Sequence, residues 1–282
     1  MKHFITSDGL RLAYSDQGAG APLLCLPGLT RNAADFEDLA AALGGSYRLI
    51  ALTPRGRHGS DFDPEWKNYN VAVEGRDAVE LLNHLGIERA TVVGTSRGGL
   101  IAMLLGLMTK HRLAGVLLND IGPEVAPGGF GRIMGYLGIP PKARTIPEVA
   151  AALAATSGAD FPDVSLGRWE VCARRWFAET PDGVALNYDP HLRDAVEFGS
   201  AQPVPDMWPL FDAFAGLPVA VLRGANSDLL SAETVARMAA RRPDLIAAEV
   251  PNRGHVPFLD EPESLAVLAE LMARVAGAEM VA

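Results

Sequence analysis

From residue 3 to about 120, and again from about 217 to 276, short aliphatic and β-branched runs alternate with stretches whose apolar residues recur every three or four positions. Parallel strands can only be joined by a crossover, and the usual crossover is a helix, so this alternation predicts an α/β fold with a mainly parallel sheet. Eight strand candidates emerge, at residues 3–6, 10–15, 23–27, 47–53, 90–94, 114–120, 219–223 and 246–250. Several are apolar throughout, as strands covered on both faces must be. Between them, three sets of residues fall at i, i+3, i+4 and i+7: Phe36, Leu39, Ala40 and Leu43; Ala78, Leu81, Leu82 and Leu85; and Leu265, Leu268, Ala269 and Met272. Each set is one stripe of an amphipathic helix expected to cover a sheet face.

The rhythm breaks between the sixth and seventh strands. Residues 123–210 are rich in Gly and Pro, show no convincing strand, and carry one strong helical stretch, LGRWEVCARRWFAE at residues 166–179. An excursion from the strands' C-terminal edge would cover a ligand crevice there, so a core of residues 1–122 and 211–282 with a helical cap of residues 123–210 is expected. Trp169, Cys172, Ala173 and Trp176 share one face of the predicted cap helix, and Phe177 and Trp208 add aromatic area. This stripe either packs the cap onto the core or walls an apolar pocket. Arg168, Arg174 and Arg175 are either a solvated face or partners for a substrate carboxylate.

Composition excludes several classes. No run of about 18 apolar residues occurs, which argues against a membrane span. The N-terminal MKHFITSDGLRLAYSDQG interrupts its apolar residues with Asp8, Arg11 and Asp16, unlike a signal peptide, so the cytoplasm is the expected location. A net charge of −9 with no basic stripe disfavours nucleic acid as a partner. Cys25 and Cys172 show no metal-ligand spacing and are expected to be small buried hydrophobes. No metal or organic cofactor is expected, and a monomer and a homodimer both remain open.

The chemistry concentrates in VVGTSRGGL, residues 92–100, where a strand runs through Gly94-Thr95-Ser96-Arg97-Gly98 into a helix. A turn this tight brings backbones into contact two positions before and after the serine, so glycine is required there. Ser96 is held in an unfavourable conformation with Oγ outward, the arrangement of a nucleophile. The Arg97 N–H, at the positive end of the helix dipole, would face a developing oxyanion. A second N–H should come from the turn after the third strand; Leu29 in LLCLPGLT is assigned that role. His255, in Asn252-Arg253-Gly254-His255-Val256-Pro257 just past the last strand, is the candidate general base, whereas His3, His58, His84, His111 and His191 are read as structural.

The G-T-S-R-G turn, the L-P-G-L turn, R-G-x-x-S-D after the seventh strand and G-H-V-P-F-L-D-E-P-E near the C-terminus together resemble the α/β-hydrolase superfamily, within it the capped serine esterases and carbon–carbon-bond hydrolases. The likeness covers both parts of the core but not the cap. It implies an acid following the serine and preceding the histidine. Asp228, 27 residues before His255, has the implied spacing; Asp120, ending the sixth strand in LLNDIGPE, stands where some members carry the acid instead. Asp228 is the expected acid, although its loop has one residue more than the commoner G-x-x-D. Pro27-Gly28 replaces the more frequent His-Gly, and Thr53 a frequent Asp. The implied activity is hydrolysis of a small-molecule carboxylic ester or related acyl compound through an acyl-enzyme on Ser96. Carbon–carbon hydrolysis of a vinylogous diketone and slow-turnover ligand sensing are the rivals. A serine at the turn argues against dehalogenase or epoxide hydrolase chemistry, which needs a carboxylate nucleophile.

Overall fold

A computed structural model describes residues 1–202 and 205–280 of the chain. Among the described residues, ten strands form in chain order. The first six are β1 (Lys2–Ile5), β2 (Arg11–Gln17), β3 (Pro22–Leu26), β4 (Arg48–Leu52), β5 (Ala90–Thr95) and β6 (Leu113–Asn119). A separate hairpin follows, of β7 (Phe177–Thr180) and β8 (Gly183–Leu186), and then β9 (Val219–Gly224) and β10 (Ile246–Val250). Eight of them, those expected, make one sheet in the order β1-β2-β4-β3-β5-β6-β9-β10. β1 and β2 pair antiparallel, β2 runs antiparallel to β4, and the rest are parallel.

The helices are α1 (Glu37–Leu43), α2 (Val71–His84), α3 (Arg97–Met108), α4 (Pro127–Met134), α5 (Ile146–Ser157), α6 (Leu166–Trp176), α7 (Leu192–Ser200), α8 (Trp208–Asp212), α9 (Ala232–Arg241) and α10 (Pro262–Glu279). Alternation along the strands sends neighbouring residues to opposite faces. Leu24, Leu26, Ile50 and Val92 meet Ala78, Leu81, Ile101 and Met103 of α2 and α3 on one face. Leu23, Cys25, Ala51 and Val93 meet Leu39 of α1 and Leu268, Leu271 and Met272 of α10 on the other. Two of the helical stripes thus bury as expected. The third is displaced: Ala269 is exposed, and Val267 and Leu271 take the inward positions.

Between β6 and β9 the chain builds α4 to α8 and the β7–β8 hairpin. The hairpin corrects the expectation of a strandless segment. Helix α6 ends at Trp176, because Phe177 is extended (φ −129°) and opens β7. The turn signal is Pro181-Asp182-Gly183, with Gly183 at φ 129°, a conformation that L side chains avoid. Ile146, Val149, Phe161, Trp169 and Cys172 give this segment its own small core, against which Phe258 of the loop after β10 packs. It is tied to the loops at the C-terminal edge of the sheet. The Asn32 side chain donates to Arg175 O (2.7 Å), the Asp189 N–H to Gly56 O (2.8 Å) and the Tyr69 hydroxyl to Asp189 (2.6 Å). Helix α8 does not share that core: Trp208 and Phe211 are buried in the cluster under α3. A boundary at residue 210 therefore cuts through α8, and Trp208 packs with the sheet.

Candidate active site

Ser96 lies between the last residue of β5 and the first of α3, at φ 52° and ψ −115°. A non-glycine residue in that region costs of order 1–3 kcal/mol and persists only where the surroundings force it. Here they do. A Cβ on Gly94 would fall 2.6 Å from Gly98 O, and one on Gly98 would fall 2.0 Å from Leu26 O, so only glycines allow the helix to start this close to β3 and β5. The Ser96 N–H donates to Asn119 O (3.0 Å), fixing the turn to the neighbouring strand.

His255, in the loop after β10, completes the next contact: Ser96 Oγ and His255 Nε2 are 2.8 Å apart. On the other side of the ring, His255 Nδ1 lies 2.7 Å from Asp120 Oδ2. Asp120 follows β6 at φ 55° and is fully buried. Its carboxylate also accepts from the Gly224 N–H (2.8 Å) and the Ser227 hydroxyl (2.6 Å). With two donors already on the Asp120 carboxylate, an Nδ1–H is the partner that its remaining lone pairs suit. His255 Nδ1 therefore carries the ring proton, and Nε2 presents its lone pair to the serine hydroxyl.

Asp228, the acid expected from spacing, is elsewhere. It lines the cavity and forms an ion pair with Arg132 (3.0 Å). The extra loop residue explains the exchange. Ser227, one position earlier, turns inward to Asp120 while its Oγ also accepts from the N–H groups of Leu229 and Leu230. With Ser227 fixed there, the next side chain is delivered outward to the cavity.

Leu29 lines the cavity together with Ser96, and Arg97 follows Ser96 as the first residue of α3. No acceptor among the described residues takes either backbone N–H. Behind them lies a charged network absent from the sequence reading. Arg57 Nε donates to Leu29 O (2.9 Å) and its NH1 to Glu74 (2.7 Å), while Arg97 Nε donates to the other Glu74 oxygen (2.6 Å). Burial pushes the Glu74 carboxyl up, but the two guanidiniums outweigh it and hold the carboxyl below its ordinary value. Leu29, through its carbonyl and Arg57, and Arg97, through its own guanidinium, are thus tied to one buried carboxylate. No motif announced this; only three-dimensional proximity unites Arg57, Glu74 and Arg97.

In front of Ser96 opens a cavity of about 850 Å³, between the sheet edge and the inserted segment. Trp169, Trp176 and Phe177 lie in its wall with Arg31, Tyr136 and Phe258. Trp208 does not: it is buried against Phe211, its indole N–H on Glu124 (3.0 Å), because α8 belongs to the core. Arg168 and Arg175 reach the cavity but are paired with Asp38, Asp260 and Glu37, and Arg174 faces Glu179 at the surface. Among the described residues no group of three or more His, Cys, Asp or Glu side chains could hold a metal ion, and no helix is long and apolar enough to cross a membrane.

A parallel sheet, a strained serine between strand and helix, and a histidine and buried aspartate in line with it define a hydrolase site. The chain belongs to the alpha/beta hydrolase family, whose model matches residues 23–268. Among individual relatives, it is 37% identical over 270 residues, 91% of each chain, to the 3-hydroxybutyrate-oligomer hydrolase of Cupriavidus necator. It superposes on the crystal structure of an alpha/beta hydrolase from Novosphingobium aromaticivorans with a TM-score of 0.90 and 44% identity, covering 97% of each chain. E-2-(acetamidomethylene)succinate hydrolase shares the fold, with a TM-score of 0.82 at 22% identity over 96% of this chain and 99% of that one.

Proposed function

We propose that this hydrolase cleaves small carboxylic esters through an acyl-enzyme on Ser96, with His255 as general base and Asp120 as the acid that orients it. The observation that carries this is the continuous line from Ser96 Oγ to His255 Nε2 (2.8 Å) and from His255 Nδ1 to Asp120 (2.7 Å). His255 takes the serine proton as Oγ attacks the ester carbonyl. The N–H groups of Leu29 and Arg97 receive the oxyanion, and the imidazolium returns the proton to the leaving alkoxide. Water, deprotonated by the same imidazole, then releases the acid from Ser96. The inserted segment acts as a cap that shapes the acyl site, with Trp176 and Phe177 in its wall. A cavity of about 850 Å³ suits a ligand of a few monomer units. The similarity to a 3-hydroxybutyrate-oligomer hydrolase makes short hydroxyacyl oligoesters the first substrates to try. The test is a panel of p-nitrophenyl esters of increasing acyl length, 3-hydroxybutyrate dimer and trimer, and one ring-cleavage dienoate. Turnover of esters with an acyl-length optimum is expected; turnover of the dienoate alone would contradict ester hydrolysis.

A further inference from the structure

Four arginines reach the cavity wall: Arg31, Arg132, Arg168 and Arg175. Three are neutralised by carboxylates. Arg132 pairs with Asp160 and Asp228, Arg168 with Asp38 and Asp260, and Arg175 with Glu37 and Asp38. The Arg31 guanidinium makes no ion pair or hydrogen bond among the described residues, although the side chain is half-buried. Asp35 acts on it only through space, beyond ion-pair distance, so the guanidinium keeps its N–H donors for an anion that arrives from solution.

The position is defined by two contacts. Arg31 Cζ lies 3.5 Å from the centroid of the Trp176 ring, so the cation's face is spent on the indole and its edge, where the N–H groups are, stays available. Trp176 is itself fixed, its indole N–H donating to Asp35 (2.8 Å). Burial raises the Asp35 carboxyl pKa, while Arg31 and that indole bond oppose the rise. The stem of Arg31 starts beside the nucleophile: the Cβ position of Gly28 is 3.4 Å from Arg31 Cγ and 3.8 Å from Ser96 Cβ. Arg31 and Ser96 line the same cavity, so a carboxylate on the guanidinium edge and a carbonyl at Ser96 can belong to one small substrate.

We propose that Arg31 is a specificity-determining carboxylate anchor, and that the substrate is an anionic ester whose own carboxylate lies a few bonds from the scissile carbonyl. This narrower class rests on the ester hydrolysis proposed above. The test compares 3-butyryloxybutyrate with its neutral amide, 3-butyryloxybutyramide, in the wild type, Arg31→Gln and Arg31→Lys. The wild type should prefer the carboxylate. Arg31→Gln should lower the carboxylate-over-amide ratio of kcat/KM roughly tenfold to a hundredfold, mostly through KM, as expected for loss of a charge-assisted pair. Arg31→Lys should restore part of that ratio. An unchanged ratio, or an equal loss on both substrates, would overturn the proposal. Calorimetry in a Ser96→Ala background separates the two assignments, because it reads binding of 3-butyryloxybutyrate without turnover. If neither substrate is hydrolysed, ester cleavage is wrong, yet weakened carboxylate binding in Ser96→Ala/Arg31→Gln still upholds the anchor. Equal binding with and without Arg31 refutes it.

Discussion

At the scale of single residues, the role proposed for His255 depends on the aspartate that faces it. Asp120 is fully buried, and its three donors leave it no freedom to turn away. An asparagine there could keep the Gly224 N–H but would offer the ring an amide, favouring the tautomer with the proton on Nε2, where it blocks the serine. Asp120→Asn is therefore expected to fold and to lose up to about 10⁴-fold in kcat. Asp228→Asn should stay within about threefold, since it loses only part of a partly exposed pair with Arg132. Steady-state kinetics of the two variants on one aryl ester checks the ranking, and the reverse order would return the role to Asp228. The spacing implied by the resemblance pointed to Asp228, and the one extra residue in its loop, which turns Ser227 inward instead, was the visible sign against it.

At the scale of elements, buried charge clusters join the loops at the C-terminal edge of the sheet to the helices. Arg55, fully buried in the loop after β4, binds Asp77 of α2 (2.7 Å), Asp63 (2.5 Å) and Asp8 of the β1–β2 turn (3.0 Å). Burial pushes the Asp8 carboxyl up, but hydrogen bonds from Arg55, Thr6 and Arg76 prevail and hold it well below its ordinary value of 3.8. A carboxyl whose folded pKa is depressed stabilises the fold fully above its unfolded pKa, and that stabilisation fades as pH falls below it. Asp8→Asn should thus cost about 1–2 kcal/mol at pH 7, discounted for its partial exposure, and distinctly less at pH 3. Urea denaturation at the two pH values measures this; an equal cost at both would mean that the charge of Asp8 contributes nothing. The legibility of the elements follows the same physics. Strands β3 to β6 were readable because both their faces are buried and their residues are predominantly apolar. The β7–β8 hairpin was not, since it is only half-buried and its four-residue strands continue a helical apolar stripe through Phe177. Ala269 misled because alanine fits either face of a helix.

At the scale of the whole molecule, the sheet fixes the reacting groups and the inserted segment encloses the space in front of them. Ser96, Asp120 and His255 follow β5, β6 and β10, so one rigid edge brings together residues 159 positions apart in sequence. The turn at Ser96 was legible because its steric requirements are written in Gly94 and Gly98, whereas the acid's position carries no such mark. The roof was not, because its core of Ile146, Phe161, Trp169 and Phe258 is assembled from several segments with no shared period. Which aromatic residues face the cavity depends on where α6 and α8 dock, and counting Trp208 with the cap's aromatic area put it in the wrong layer. The proposed mechanism requires that Ser96 carry the acyl group during turnover. Rapid acid quench of the enzyme during the first turnovers of a p-nitrophenyl ester, followed by digestion and mass spectrometry, reads this directly. One acyl group is expected on the peptide containing Ser96 and none in Ser96→Ala, whose kcat should fall by roughly 10⁶-fold. Undiminished turnover by Ser96→Ala, or an acyl group on any other residue of the active enzyme, would contradict it.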